Sequence, residues 1–166
     1  MTEVRRATID DAEAINKVYN PYISESAATF ETDPISLVDR MQWIEARSAN
    51  ARHDVFVSMD EKGDIRGFAN AGPFDERRAY EVSVKVSVFL QMGHESKGMG
   101  SALYTALFAS LAEKDVHRAY ALIVAPNPGS KALHERFGFR QISVLSEVGR
   151  KFGDYYDVMW FEKRFD

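Results

Sequence analysis

The fold is decided by residues 82–101, which read VSVKVSVFLQMGHESKGMGS. In the first half of this stretch, Val82, Val84, Val86, Val88 and Leu90 alternate with serine, lysine and phenylalanine residues. Because successive side chains of a strand point to opposite faces, the aliphatic residues share one face. A strand of this length with one aliphatic face is expected at the centre of a sheet.

The second half is a glycine-containing loop that leads into an amphipathic helix. Gly98 and Gly100 have no side chains, so a ligand can approach the backbone closely at the start of that helix. Free N–H groups and the dipole at a helix start favour an anion, and Lys97 adds positive charge. The pattern indicates a phosphate or diphosphate site, although a glycine turn without a ligand has the same spacing.

The residues before this stretch predict a strand, two helices and a hairpin. A strand over residues 4–7 leads to a capping box of Thr8 and Asp11, and Pro21 is expected to end the helix that follows. Asp33 with Pro34 predicts the start of a second helix. The remaining predictions are an apolar stripe at Leu37, Met41 and Ile44, and two hairpin strands over residues 54–59 and 65–71.

The residues after it predict two helices and three strands. The first helix, residues 98–114, has a stripe of leucines at 103, 107 and 111. Gly138 is expected to close the second helix in a left-handed conformation. The other predicted elements are a strand at 119–124, buried on both faces, a short helix at 130–137, and strands at 139–147 and 155–165, with a turn between Gly149 and Gly153.

The resulting order, β-α-α-β-β-β-α-β-α-β-β, predicts an α/β (α+β) fold. A mostly antiparallel sheet is flanked by helices, and the central strand, its helix and the next strand form one parallel crossover. No repeat, low-complexity tract or linker interrupts the pattern, so residues 1–166 are expected to form a single domain.

Composition narrows the function classes. The 166 residues contain no cysteine and four scattered histidines, which argues against disulfides, a thiol nucleophile and a bound metal. The net charge of −4 does not favour nucleic acid. No apolar run approaches the roughly 20 residues of a membrane span, and no signal peptide is apparent. A cytoplasmic protein without membrane or nucleic-acid partners is expected.

A second polar motif follows the predicted strand at 119–124. Pro126 and Asn127 lead into a helix that carries Ser130 and His134 and ends at Phe137-Gly138-Phe139. Asn127 or Ser130 can serve as the helix cap, and capping alone accounts for this motif. A single histidine in such a helix is also common as a surface or packing residue.

Several motifs occur in order along nearly the whole chain: VYN at 18–20, TFET at 29–32, GMGSALY at 98–104, Pro126-Asn127, LHE at 133–135, FGF at 137–139 and GRKFG at 149–153. In combination they resemble the GNAT superfamily of acyl-CoA-dependent N-acyltransferases. Within it the chain is similar to the phosphinothricin and methionine-sulfoximine acetyltransferases. The resemblance implies a homodimer, acetyl-CoA as co-substrate, and direct attack of an acceptor amine on the thioester.

The resemblance also implies where acetyl-CoA binds. The central strand splays from its neighbour and holds the pantetheine arm through the backbone of Val88, Phe89 and Leu90. Asn127 bonds the same arm, with Ser130 near it. The diphosphate is held by the amides of the loop, which are those of Ser96, Lys97, Gly98, Met99, Gly100 and Ser101.

For the reaction itself, a backbone N–H of the splayed strand is the expected oxyanion donor. His134 stands where many superfamily members carry a tyrosine that protonates the leaving thiolate. Arg78 and Tyr80 align with contacts to the acceptor, Arg77 is an alternative to Arg78, and Phe30 is expected to wall the pocket. An arginine suits an acceptor carboxylate because its fork binds bidentately, although a solvated loop also explains the two arginines.

Two residues depart from the family pattern. Lys85 replaces the glutamate proposed as base, and an ordinary lysine is charged at neutral pH. The amine proton is then taken by Glu81, by Glu31 or by a chain of water molecules, unless the amine enters the site already neutral. Lys85 can instead bind an anionic acceptor. Glu95 stands where the diphosphate motif has glutamine or arginine, and a carboxylate there does not help to hold phosphate.

The sequence therefore predicts an acetyl-CoA N-acetyltransferase that acts on a small amine, such as an amino acid or a toxic analogue. The first alternative is an acetyltransferase of protein N-termini or lysines. The second, motivated by Lys85 and Glu95, is a CoA-binding sensor with little catalysis.

Overall fold

A computed structural model describes residues 2–95 and 98–166. The strands are β1 (Glu3–Arg6), β2 (Asp54–Met59), β3 (Ile65–Pro73), β4 (Ser83–Leu90), β5 (Arg118–Val124), β6 (Arg140–Lys151) and β7 (Asp154–Arg164). The α-helices are α1 (Ala12–Glu25), α2 (Leu37–Ala49), α3 (Met99–Ala112) and α4 (Pro128–Arg136), and short 3₁₀ helices cover Ile9–Asp11 and Arg78–Tyr80. The order of elements is the one predicted from the sequence.

The strands form one sheet in the order β1-β2-β3-β4-β5-β7-β6. Neighbours are antiparallel except for β4 and β5, which are parallel and joined through α3. The predicted mixed α/β fold, with a mostly antiparallel sheet, one parallel pair and β4 in the centre, is confirmed.

The parallel pair is short. It extends only from Ser83 opposite Arg118 to Lys85 opposite Tyr120, and beyond this point β4 and β5 diverge. The carboxyl-terminal half of β4 thus keeps its partner β3 on one side and borders a gap on the other.

Two apolar cores pack on opposite faces of the sheet. One lies under α3, where Leu103, Leu107 and Leu111 are fully buried as predicted, together with Val84 and Val86 of β4. The other lies under α1 and α2 and contains Ile15, Ile44 and Phe68, among others. Among the described helices, none has both the length and the apolar character needed to cross a membrane.

Helix boundaries in the amino-terminal half differ from the predictions. Pro21 does not end α1, which continues to Glu25, because the last turn is held by tertiary contacts that outweigh the lost backbone bond. Ile23 is buried there, and Lys151 binds the carbonyl oxygen of Ser26. The second helix begins after Ser36 rather than Asp33, because the Ser36 hydroxyl accepts the N–H of Asp39.

Three burial and turn predictions also differ. Leu37 is half exposed because it lies at the very start of α2, beyond the apolar face that Ile44 buries. β5 is buried on one face only, because Ala119, Ala121 and Ile123 face the core under α3, while Leu122 points to the other side and is exposed. The β6–β7 turn lies at Phe152 and Gly153, which adopt positive φ, so β6 continues to Lys151 and β7 begins at Asp154, one residue earlier than predicted. Gly138 has the expected left-handed conformation.

Candidate active site

A cleft of about 710 Å³ opens where β4 and β5 diverge. Residues of both strands, the start of α3, most of α4 and the last turn of α1 surround it. Its lining includes Tyr22, Ala28, Val86, Ser87, Val88, Phe89, Leu90, Glu95, Gly98, Gly100, Ser101, Asn127, Ser130, Leu133, His134 and Arg136. Most of the residues predicted to bind a nucleotide thioester therefore lie around one cavity.

The backbone of β4 presents polar groups to this cleft. The N–H of Gln91 donates to the carbonyl oxygen of Arg66 in β3 at 2.7 Å, while the carbonyl of Val82 accepts from the N–H of His117, just before β5, at 2.8 Å. Since neighbouring residues of a strand present N–H and C=O to opposite sides, Val86, Val88 and Leu90 face the gap. The cleft thus contains main-chain donors and acceptors suited to an amide-containing arm.

Tyr22 forms a hydrogen bond with one of these main-chain groups. Its Oη donates to the carbonyl oxygen of Leu90 at 2.6 Å. Burial, with a smaller effect from Glu95, raises the pKa of Tyr22 to about 12, so the phenol remains a donor at neutral pH. This bond ties α1 to the end of β4 and leaves Val88 as the residue with both backbone groups toward the middle of the gap. No motif in the sequence points to Tyr22.

The glycine loop reaches the cleft at the start of α3. Gly98 precedes the helix with φ of 77°, a left-handed conformation that a side chain rarely adopts. A Cβ on Gly100 would lie 3.3 Å from Leu133 Cδ2, so a side chain there would crowd the wall that both residues form. Met99 is buried beneath the loop. The predicted residues Ser96 and Lys97 lie outside the described residues.

Arg136 adds positive charge to this end of the cleft, and sequence reasoning missed it. Its Nη1 donates to Ser101 Oγ at 2.9 Å, which brings the end of α4 to the start of α3. Glu95 also lines the cleft and is exposed. Nothing in the sequence distinguishes Arg136 from an ordinary basic residue in a last helical turn, because its position depends on the packing of two helices.

Asn127 caps α4 from the opposite wall. Its Oδ1 accepts the N–H of Ser130 at 3.1 Å, as the capping interpretation expects. Asn127 and Ser130 both line the cleft, so the cap also brings two polar side chains to the cavity.

His134 lies one turn further along α4 and is buried. Its Nδ1 is 2.7 Å from the carbonyl oxygen of Ser130, and its Nε2 is 2.8 Å from Tyr104 Oη. Burial lowers the pKa of His134, although the Ser130 carbonyl opposes this shift. The resting ring is therefore neutral, with both nitrogens engaged, and His134 lines the cleft.

The residues predicted to contact the acceptor are not among those that line the cleft. The Phe30 ring packs over Gly149, where a Cβ would approach it to 2.2 Å. Arg77 is bound to Asp75 by two hydrogen bonds, and Arg78 is 93% exposed with Glu81 at 3.7 Å. Tyr80 packs against Phe74 and lies under the Arg77 guanidinium.

The groups considered for proton abstraction lie at different places. Lys85 is exposed, and its Nζ is 5.8 Å from the Phe74 ring centroid. Glu81 forms ion pairs with Arg52 and Arg78. It is seven residues from Val88, or about 23 Å along an extended strand, which is too far for direct proton transfer at the cleft. Glu31 is exposed, beyond the Thr29 turn of the α1–α2 loop.

Among the described residues, no group of three or more histidine, aspartate or glutamate side chains is placed to hold a metal ion. The cleft therefore offers main-chain groups, a glycine-bordered helix start, amide and hydroxyl side chains and one neutral imidazole. These can bind and orient a thioester and stabilise charge on its carbonyl oxygen.

Comparison with known proteins agrees with this geometry. The family model described as an acetyltransferase (GNAT) domain matches residues 4–160. A phosphinothricin N-acetyltransferase from Streptomyces coelicolor is 40% identical over 162 residues, which cover 97% of this chain and 95% of the relative.

Two solved structures have the same fold over nearly the whole chain. A GNAT superfamily phosphinothricin acetyltransferase from Sinorhizobium meliloti, crystallised with AcCoA, has a TM-score of 0.94 and 27% identity, covering 99% of this chain and 88% of that one. A ribosomal-protein-alanine N-acetyltransferase from Brucella melitensis has a TM-score of 0.92 and 31% identity, covering 98% and 99%.

Proposed function

The chain belongs to the acetyltransferase (GNAT) family, and on that basis we propose that it moves the acetyl group of acetyl-CoA to the amine of a small amino-acid-like acceptor. Phosphinothricin and methionine sulfoximine are the acceptor types that the sequence resemblance suggests. The observation that carries the proposal is the cleft between β4 and β5, because its free main-chain groups and the glycine-bordered start of α3 meet in one cavity.

The residues around the cleft fit acetyl-CoA, which supplies an activated acetyl thioester when bound. Val88 and Leu90, whose backbone groups face the gap, are proposed to hold the pantetheine arm, with Asn127 and Ser130 opposite. Phe89 was predicted with them and lines the cleft, but its backbone groups point to β3. The diphosphate is assigned to the loop before and at the start of α3, with Arg136 beside it. The loop residues are Ser96, Lys97, Gly98, Met99, Gly100 and Ser101.

The chemical step needs a donor for the oxyanion and a proton for the thiolate. The N–H of Val88 faces the gap and is the proposed oxyanion donor. His134 is the proposed source of the thiolate proton, because it is the one histidine among the described residues that line the cleft. In that role the ring takes up a second proton from water at Nε2, while Tyr104 turns its hydroxyl so that the oxygen accepts. The cationic ring then gives one proton to the thiolate, which leaves as the CoA thiol, and the ring returns to its neutral form.

The acceptor amine must lose a proton before or during attack. Lys85 occupies the position of the family's usual base and Glu81 is distant, so we propose that water in the open part of the cleft carries this proton away. Phe30, Arg77, Arg78 and Tyr80 remain proposals for acceptor contacts. Their support is the family resemblance, together with the packing of Phe30 on Gly149 beside the α1–α2 loop.

A second acceptor class has a specific observation in its favour. The Brucella melitensis structure, at 31% identity, is of a ribosomal-protein-alanine N-acetyltransferase, whose acceptor is a protein. Such an acceptor needs an open groove, whereas an amino acid needs a pocket that holds its carboxylate. Acetylation of a short peptide that begins with alanine, in preference to free amino acids, would establish the protein-acceptor alternative.

We further propose that residues 1–166 act as one domain, that the protein is cytoplasmic, and that it forms a homodimer. Support for the dimer comes from apolar side chains exposed along β6 and its turn. These are Ile142, Val144, Leu145, Val148 and Phe152, at 39–58% exposure. Sedimentation of the wild type and of Val148→Glu would test the dimer.

The central experiment measures CoA release with a panel of amines. Wild-type protein is expected to release free CoA with phosphinothricin, methionine sulfoximine or a related amino acid. In Gly100→Val, which places a branched side chain against Leu133, acetyl-CoA binding should weaken in calorimetry and turnover should fall in parallel. Tight acetyl-CoA binding by the wild type without CoA release for any amine would instead indicate a sensor.

A further inference from the structure

Arg47, on α2, is a partly buried cation without an acidic partner among the residues that the structure describes. Its Nε donates to Asn70 Oδ1 at 3.1 Å, and its guanidinium lies 4.1 Å from the Trp43 ring centroid. Burial, and secondarily the charge of Arg40, lowers its pKa to about 10. A guanidinium removed from water without a carboxylate partner is costly, and an anion that binds there regains charge-assisted hydrogen bonds.

The guanidinium lies flat against the sheet at Gly72. A Cβ on Gly72 would come within 2.6 Å of Arg47 Nη2, so the glycine makes the room for the cation. Gly72 is the direct partner of Lys85 in the β3–β4 pairing. Arg47 is therefore held close to Lys85 of the central strand. Lys85 is the last residue of β4 before this strand diverges from β5.

Asn70 links Arg47 to the cleft. It lies opposite Ser87, and its Nδ2 donates to Ser87 Oγ at 2.6 Å. Because this oxygen accepts from Asn70, the hydroxyl hydrogen of Ser87 is available to another acceptor. Ser87 lines the cleft, and Arg47 lies next to it across Asn70, so two hydrogen-bond donors extend from the cavity along the sheet.

On the face of the sheet that carries α1 and α2, a small acceptor can approach beside Lys85, which these helices leave exposed. On the other face, Val84 and Val86 are buried beneath α3. Lys85 and Ser87 point to the opposite face, as do their cross-strand partners Gly72 and Asn70, and Lys85 is exposed there. An amine that approaches Val88 from this face passes Ser87 and Arg47.

We propose that Arg47, together with the Ser87 hydroxyl, binds the carboxylate of the acceptor and selects acceptors that carry an anion beside the amine. This inference rests on the proposed function and identifies its acceptor class. The loop arginines are less suited to this role as they stand, because Arg77 is bound to Asp75 and Arg78 is almost fully exposed beside Glu81.

The test compares phosphinothricin with its α-carboxamide, which keeps the amine and removes the carboxylate charge. In Arg47→Met, kcat/KM for the acid should fall about 10- to 100-fold, the loss expected for a hydrogen bond to a charged group. For the carboxamide it should change less than about threefold. The matched control is Arg164→Met, an exposed arginine that pairs with Asp166 at the end of the chain.

A second variant guards against misfolding of Arg47→Met. Asn70→Asp keeps the guanidinium but places a permanent carboxylate next to it, and should likewise lower kcat/KM for the acid more than for the carboxamide. The KM for acetyl-CoA should stay constant in both variants. Equal losses for acid and carboxamide, or a selective loss in Arg78→Met alone, would overturn the role of Arg47. Absence of turnover in the wild type would instead count against the proposed function.

Discussion

Tyr104 donates its hydroxyl hydrogen to His134 Nε2 across 2.8 Å. The direction of this bond follows from the other ring nitrogen, because Nδ1 faces the Ser130 carbonyl oxygen, which can only accept. Nδ1 therefore carries the proton of the neutral ring and Nε2 is the acceptor. Tyr104 is fully buried, and burial raises its pKa, so it remains a donor throughout the neutral range.

The Tyr104–His134 bond should contribute to stability. In Tyr104→Phe, the buried Nε2 loses its donor, and the free energy of unfolding is expected to fall by about 1–3 kcal/mol. Urea unfolding of Tyr104→Phe, His134→Leu and the double variant measures the coupling between the two residues. If the two single losses simply add in the double variant, the hydrogen bond does not contribute as described.

The proposed role of His134 has a pH signature. An imidazolium that gives its proton to the thiolate is lost as pH rises through its pKa, and burial places that pKa below the ordinary value of about 6.5. kcat should therefore decline with rising pH, with a midpoint below about 6.5. In His134→Gln this pH dependence should disappear, and kcat at the optimum should fall by about 100-fold. An unchanged profile in His134→Gln would assign His134 a purely structural role.

Lys151 holds the loop that follows α1. Its Nζ donates to the carbonyl oxygens of Ser26 and Thr29 at 2.7 and 2.8 Å, and burial lowers its pKa, while Glu31 opposes this shift. Lys151→Met should lower the free energy of unfolding by about 1.5–3 kcal/mol, because the carbonyls lose a charged donor.

The same variant should raise KM for the acceptor more than KM for acetyl-CoA, since Phe30, a proposed acceptor contact, directly follows Thr29. Lys62→Met, at an exposed lysine in the β2–β3 turn, is the control and should change neither quantity. Equal stability of the two variants in thermal unfolding would contradict the buried contacts of Lys151.

Gly149 determines where the Phe30 ring can lie. In Gly149→Ala, the new Cβ would overlap the ring, and the ring rather than the strand should move because Phe30 is 38% exposed. We expect a small loss of stability and a several-fold higher KM for the acceptor. The double variant Gly149→Ala with Phe30→Leu removes the overlap and should regain part of the affinity. Acceptor kinetics identical to the wild type in Gly149→Ala would exclude Phe30 from the pocket wall.

Sequence patterns predicted the order and type of every strand and α-helix because the determining signals are local. Alternation in β4, the leucine stripe of α3 and the left-handed Gly138 need only neighbouring residues. The predictions that were wrong at Pro21, Asp33 and Leu122 concern places where packing decides. α1 runs through Pro21 because distant side chains, among them Lys151, secure its last turn.

The same division holds for the cleft. Its glycine loop and the Asn127 cap were visible as motifs, since each acts through adjacent backbone. Tyr22, Arg47 and Arg136 were not, and Tyr104 stood in a motif that gave it no role. Each acquires its place from a partner at least 20 residues away in the chain: Leu90, Asn70, Ser101 and His134, respectively. The residues next to a tyrosine or arginine in an amphipathic helix do not show whether its side chain binds a distant partner or faces solvent.

The three-residue seam between β4 and β5 means that the two halves of the sheet share few backbone bonds. In the proposed complex, a pantetheine arm in the gap would act as an additional strand and bridge main-chain groups that the protein leaves apart. Ligand linkage then contributes about 2.7 kcal/mol of apparent stability at a coenzyme concentration 100-fold above Kd. The coenzyme-loaded protein should therefore withstand heating and proteolysis better than the purified apo form.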